Sequence, residues 1–230
     1  MRSWVPAVLA LMAAAPAAAG PWPRGEGQGF VSLSSLIATG RDSLAAPLGD
    51  MRFQGSLFAE YGLDADWTVG IDASHGRGFG EDETTGLLFL RRLVGRFAGG
   101  HLLGAEFGLG WRQHSLDGGG MRLRAGLSWG RGFESAWGGG WMSLDATGEW
   151  RQPGEMVWKA DLTLGLRPRD DLMLIGQLQN GHYPGAGAIV KLAPSVVWQW
   201  SDAAHLQLGL SLALFGDDEV GVKIAQWFAF

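Results

Sequence analysis

The chain contains no cysteine and only two tyrosines among 230 residues, and just 18% of its residues are charged. Without thiols there can be no disulfide framework, no cysteine-ligated metal and no lipid attached at a lipoprotein cleavage site. Eighteen basic against 23 acidic side chains, with no long basic run, argue against a surface that neutralises nucleic-acid phosphates, so nucleic acid is not an expected partner. No stretch between Gly20 and Phe230 reaches the roughly 18 uninterrupted apolar residues that cross a bilayer as a helix. Yet 47% of the chain is hydrophobic, with 38 glycines and 12 tryptophans. That mixture argues against disorder and against a long solenoid, and the length suits one folded domain or two small ones.

The first residues read as an address. Met1-Arg2 supplies a positive start, Trp4 to Ala15 an apolar run, and Ala17-Ala18-Ala19 the small residues that a signal peptidase reads. A buried amphipathic helix would need a polar face, and there is no polar residue from Trp4 to Gly20. Cleavage is expected after Ala19, which makes residues 1–19 a signal peptide and the remainder an exported protein.

From Met51 onward apolar residues recur at alternate positions, the period of a strand with two unlike faces. Met51, Phe53, Leu57, Ala59 and Tyr61 oppose Arg52, Gln54, Ser56 and Glu60. Trp67, Val69, Ile71 and Ala73 oppose Thr68, Gly70, Asp72 and Ser74. The pattern returns at Leu103–Trp111, Met121–Trp129, Met142–Trp150, Met156–Leu164, Leu206–Leu214 and Val220–Phe230. Weaker runs at 30–38, 85–94, 172–179 and 188–200 bring the count to about twelve, with ten or fourteen left open. Short connections such as Asp64-Ala65-Asp66 alternate with Gly-rich or acidic ones at 76–84, 113–120 and 180–187, as in a barrel with a turn side and a loop side. Three runs fit poorly: the first strand is ragged, Gly86–Gly95 is nearly continuous and carries Arg91-Arg92, and Pro194 should force a bulge.

Alternation alone suits a soluble sandwich or ligand-binding barrel as well as a membrane barrel. The aromatics separate them. Tyr61, Trp67, Trp129, Trp137, Trp198, Trp200 and Phe230 fall at strand ends on the turn side, and Trp111, Trp150 and Trp158 toward the loop side. Two interfacial girdles are what a bilayer demands. The expected fold is therefore all-β, a transmembrane antiparallel up-and-down barrel over 30–230, preceded by a short periplasmic segment at 20–29 and surrounded by outer-membrane lipid.

Signal peptide, amphipathic strands and the terminal run Val222-Lys223-Ile224-Ala225-Gln226-Trp227-Phe228-Ala229-Phe230 resemble Gram-negative outer-membrane β-barrels. In that class the last strand typically ends in Phe and is read by the barrel-assembly machinery. The resemblance implies that Trp227, Phe228 and Phe230 form an assembly signal. More narrowly, Trp22-Pro23-Arg24-Gly25-Glu26-Gly27-Gln28-Gly29-Phe30-Val31-Ser32-Leu33 is similar to the opening of outer-membrane transporters grouped with the phenol meta-pathway family, which implies a channel-like role.

No phosphate loop, zinc-binding helix or nucleophile elbow occurs, and Gly76-Arg77-Gly78-Phe79-Gly80 reads as a flexible loop. No cofactor, metal or catalytic residue is expected. The competing reading is an outer-membrane hydrolase of the lipid A or phospholipid type, in which His75, His114 or His182 at the loop-side rim would act as base beside Ser74, Ser115 or Asp117.

The inward face carries more information. Arg52, Glu60, Asp72, Glu106, Arg112, Arg122 and Arg124 lie on early strands, and Asp145, Glu149, Lys159 and Asp161 on later ones. Opposed charges either set a transverse field that orders small polar solutes or close into an internal salt-bridge network that fills the barrel. Gly104, Gly108, Gly110, Gly126 and Gly130 also face inward, which leaves open space or lets arginines lie flat. The expected function is an outer-membrane channel or transporter for small solutes, with a filled structural barrel as a further alternative. On this reading Leu123→Arg, facing lipid, costs about 2 to 4 kcal/mol, while Ser128→Arg, facing inward, costs less.

Overall fold

A computed structural model describes residues 20–45, 51–78, 81–116 and 118–230. The expected signal peptide lies outside the described residues. Twelve strands follow one another as β1 (Gly29–Gly40), β2 (Arg52–Gly62), β3 (Trp67–Gly78), β4 (Glu81–Phe97), β5 (His101–His114) and β6 (Gly118–Ser135), then β7 (Gly138–Arg151), β8 (Glu155–Arg169), β9 (Leu172–Tyr183), β10 (Gly187–Ser201), β11 (Ala204–Phe215) and β12 (Glu219–Ala229). Each pairs antiparallel with its sequence neighbours, and β1 pairs with β12 in unbroken register from Phe30↔Ala229 to Gly40↔Glu219. Gly29 and Phe230 exchange backbone hydrogen bonds of 2.6 and 3.1 Å at the seam. The sheet is a closed barrel, so no strand edge is left unpaired.

The apolar face of the alternation is the outer one. Leu88, Phe107, Leu127, Leu208 and Ile224 are each more than half exposed. A soluble barrel would turn these side chains inward; a continuous apolar exterior of this extent is stable against lipid. Tyr61, Trp137, Trp198, Trp200 and Phe230 are exposed at the turn side and Trp111 and Trp158 at the loop side, where the two girdles are expected. Trp141 and Trp227 instead turn into the barrel.

The strands run from 11 to 18 residues, against about 9 to 11 needed to cross a bilayer at a tilt. The surplus explains why the loop side differs from expectation. Gly76–Gly78, Glu81–Thr84, Gln113–His114, Gly118–Gly120 and Asn180–Tyr183 are paired strand and not loop. The turns between β5 and β6, β7 and β8, and β9 and β10 are three residues each, as short as those of the turn side. The backbone ladder continues past the membrane, where both faces meet water and the apolar alternation stops.

Two irregular runs resolve differently. At Pro194 there is no bulge: Leu192 pairs with Leu212 and Ser195 with Gly209, so the register passes the proline unchanged. The ladder simply loses one donor there, and the shifts in β10 fall at Val190/Lys191 and Gln199/Ser201. The run Gly86–Gly95 hides its period because both faces are apolar. Leu87, Phe89 and Leu93 are buried inside the barrel with Arg91 among them, while Leu88, Leu90 and Val94 face outward.

Neighbouring residues on β1 test the faces. Leu33→Arg should cost about 2 to 4 kcal/mol in the refolded barrel, whereas Ser34→Arg, entering open polar space, should cost little. Equal shifts of the two urea midpoints would reverse the assignment of faces.

Candidate functional site

The lumen has two unlike halves. One, beneath β2 to β7, is filled by charge pairs. Arg24 binds Glu60 at 2.8 Å, Glu60 binds Arg91 at 2.5 Å, and Arg91 binds Glu106 at 2.9 Å. Glu106 then binds Arg124 at 2.8 Å, and Arg124 reaches Asp72 at 2.7 Å. Strands β3 and β6 are not neighbours, so Asp72 and Arg124 can meet only across the interior. Three arginines and three carboxylates leave this chain neutral, which is what makes burying it tolerable. Phe89 lies beneath it, with the guanidinium carbons of Arg91 and Arg124 at 5.2 and 5.6 Å from its ring centre and Phe58 stacked at 5.6 Å.

The other predicted inward residues pair more locally. Arg122 holds Glu149 through two bonds of 3.0 and 2.6 Å, and Arg151 binds the same carboxylate at 2.6 Å. Arg112 binds Glu83 at 2.7 Å. Arg52 approaches Asp217 and Glu219 at 3.7 and 3.6 Å, with Lys191 at 2.8 Å from Glu219. Asp145 accepts a hydrogen bond from Ser143 at 3.2 Å and stands opposite Asp161 in the β7–β8 register. Lys159 lies 5.8 Å from the Tyr183 ring centre. The opposed charges on the β2–β7 side thus meet directly, without an aqueous gap to carry a transverse field.

Sequence reasoning missed Arg24 and Arg91, the two links that join Glu60 to the rest. Arg91 was hidden by the apolar run around it. Its signal is parity: Leu87, Phe89, Arg91 and Leu93 share one face of β4. Arg24 belongs to residues 20–28, which fold into the turn-side mouth and cross it as a strap. The Arg24 backbone N–H donates to Thr68 Oγ1 at 3.1 Å, and Gly27 and Gly62 each donate to the opposite segment at 3.0 Å.

The inward glycines explain the strap. A β-carbon at Gly62 would collide with the Gly25 carbonyl, one at Gly130 with the Trp22 ring, and one at Gly104 would lie 3.2 Å from Pro21 Cα. Gly108 and Gly110 make room for Leu87. These glycines therefore admit packed chain, and not empty space or flattened arginines. Ser128 lies beside Gly104 and is buried, so Ser128→Arg is not the mild change expected of an inward position: it would enter a filled region next to Pro21.

The second half of the lumen, along β1 and β8 to β12, is open. A cavity of about 430 Å³ is lined by the polar residues Ser32, Ser34, Gln54, Ser56, Thr163, Gln177, Gln179, Ser195, Gln207 and Ser211 and by apolar ones including Leu36, Phe58, Trp141, Ile175 and Leu210, with Lys223 and Arg24 as its charged groups. Toward the loop side it shares Leu36, Gln54, Gln179 and Ser211 with a second cavity bounded by Lys159, Asp161, Lys191 and Glu219. At the turn side Phe30, Met173, Val197, Ala225 and Trp227 form a compact floor against which Phe58 and Trp141 pack. This half of the lumen is thus a cup of mixed polar and apolar wall with a charged mouth, an aromatic floor and the strap beside it.

The loop-side histidines do not form a site. His75 is exposed on the outer face and bonds Thr84 Oγ1 at 2.8 Å, while its neighbour Ser74 points the other way to Thr85. His114 turns inward, 3.7 Å from Glu81. His182 is exposed on β9. Asp117 lies outside the described residues. Among the described residues no cluster of three or more His, Asp or Glu could hold a metal ion.

No protein-family model matches the chain, and no curated protein matches it in sequence. Solved structures do. The KdgM porin in complex with disordered oligogalacturonate superposes with a TM-score of 0.60 at 7% identity, over 87% of this chain and 99% of that one. The NanC porin gives 0.58 at 10% identity, over 86% and 98%. The beta domain of the Bordetella autotransporter BrkA gives 0.56 at 12% identity, over 88% and 98%. The shared property is the fold: this chain's closed twelve-stranded barrel is of the Gram-negative outer-membrane type. Porins and an autotransporter domain both carry it, so the fold leaves function to the lumen.

Proposed function

We propose that this protein is an outer-membrane channel that passes small polar solutes through the open half of its lumen. The observation that carries the reading is the 430 Å³ chamber rich in hydroxyl and amide groups, which shares Leu36, Gln54, Gln179 and Ser211 with the charged cavity on its loop side. Such groups replace water's hydrogen bonds with weak, renewable ones, so a solute can enter without being trapped. The KdgM structure, a porin with a bound oligosaccharide acid, and the NanC porin agree with this reading at the level of fold. The strap and the aromatic floor stand at the turn-side end of this chamber.

The test is conductance of the refolded protein in a planar bilayer, where discrete current steps are expected. A second reading, a barrel that only spans and conducts nothing, is favoured by the salt-bridged half. Silence of the folded protein at all voltages would select it. Assembly forms a separate part of the proposal: Phe230, 71% exposed at the seam, serves as the terminal signal for the barrel-assembly machinery. Deleting Phe230 should lower the amount of heat-modifiable barrel in the outer membrane several-fold, and unchanged assembly at ordinary expression would remove that part.

A further inference from the structure

Most cations described inside the barrel stand against a carboxylate; Lys159, which faces the Tyr183 ring, at least shares its cavity with Asp161, whereas Lys223 shares its cavity with no carboxylate. It lies in β12 between Leu36 of β1 and Gly209 of β11 and lines the open chamber. No carboxylate lines that chamber, and among the described residues Lys223 makes no ion pair. Gly209 packs against Ser195, and Ser34, Ser56, Gln177 and Gln207 line the same chamber as Lys223.

An unpaired ammonium in a restricted, weakly screening space is costly unless an anion is there to meet it. For Arg24, Arg91, Arg122, Arg124 and Lys191 the chain supplies that anion itself. Here the wall offers hydroxyl and amide groups among apolar ones such as Leu36, Phe58 and Trp141, and no anion. We infer that the chamber is a binding site for a small hydroxylated monocarboxylate, whose single negative charge pairs with Lys223 while the Ser and Gln side chains bond its hydroxyls. One free cation matches one charge; a dianion would bring a second charge with no partner in the chamber. The amide and hydroxyl groups bond the ligand's hydroxyls, while the apolar part of the wall, Phe58 and Trp141 among it, packs against its carbon skeleton. The inference rests on the channel reading for its transport consequence, but not for binding.

Gluconate serves as probe and glucitol as its neutral counterpart. In bilayers holding the refolded full chain, gluconate should reduce chloride current in a saturable manner and glucitol should not. Lys223→Gln should weaken that block by about tenfold or more, the worth of one charge-assisted bond, and move the reversal potential in a salt gradient toward cations. Lys223→Arg should retain both properties. Leu36→Glu, which places a carboxylate beside Lys223, should abolish the block even if Lys223→Gln does not fold.

Block that is equal in wild type and in either neutralising variant overturns the inference, as does equal block by glucitol. If the wild type conducts nothing, quenching of Trp141 and Trp227 fluorescence by gluconate in detergent decides. Lys223-dependent quenching keeps the site and removes the channel reading; no quenching removes both.

Discussion

A chain that begins at Gly29, refolded into planar bilayers, should conduct several-fold more than one that begins at Gly20. The nine residues removed are the strap. They cross the turn-side mouth from β1 and β2 toward β5, β6 and β7, where Trp22 and Pro21 lie against Gly130 and Gly104. Their hold on the wall is polar at one end, through Arg24 to Glu60 and Thr68, and steric at the other. Their loss exposes no large core, because the barrel closes through β1 and β12 without them. A wedge gives the same result by a different route. Gly62→Val puts branched carbon where the Gly25 carbonyl sits, so the strap must leave while every residue of it remains. If both variants fold and neither raises single-channel conductance, the aromatic floor around Trp227 and Phe30 is the true constriction, and the strap only packs.

What could be read from the sequence was what the membrane imposes. Lipid requires one apolar face at every crossing, so residues such as Phe107, Leu127 and Leu208 mark their strands and their direction. Twelve strands and both aromatic rims follow from that single demand. Where the demand ends, so does the signal. Beyond the bilayer both faces are polar, and the paired ends at Gly76–Gly78 and Gln113–His114 look like loop. In β4 both faces are apolar, because the inner one packs Leu87 and Phe89 into a filled lumen, and Arg91 looks misplaced.

Partners inside the barrel are harder still, since they depend on which strands face each other across a bore of unknown width. Arg52, Arg112, Arg122 and Arg124 were visible as inward arginines, but nothing local says that Arg124 meets Asp72, 52 residues away. Lys223 was visible only as the polar residue opposite Val222 and Ile224. Its distinction is that no carboxylate shares its cavity, a property of the assembled lumen and not of β12.

Removing Arg91 should destabilise the barrel by about 3 kcal/mol, near the lower end of the cost of breaking a buried ion pair. The lower end applies because each glutamate that Arg91 binds keeps one other arginine: Glu60 keeps Arg24 and Glu106 keeps Arg124. What is lost is neutrality, since two arginines then face three carboxylates, and two charge-assisted bonds of 2.5 and 2.9 Å. Arg91→Met preserves most of the side-chain volume and the packing on Phe89, so the change isolates charge. Adding Glu60→Gln to Arg91→Met restores the balance and should recover part of the loss, though less than all, because Arg24 then loses its own carboxylate.

The exposed pair Arg96–Asp66, at 2.8 Å with both side chains at least two-fifths exposed, is the control. Water screens such a pair, and Arg96→Met should change stability by less than about 1 kcal/mol. Urea unfolding of the refolded protein in phospholipid vesicles measures both. If Arg91→Met and Arg96→Met shift the midpoint alike, water reaches Arg91 freely, the β2–β7 side of the lumen is open, and the division of the bore into a filled and an open half fails.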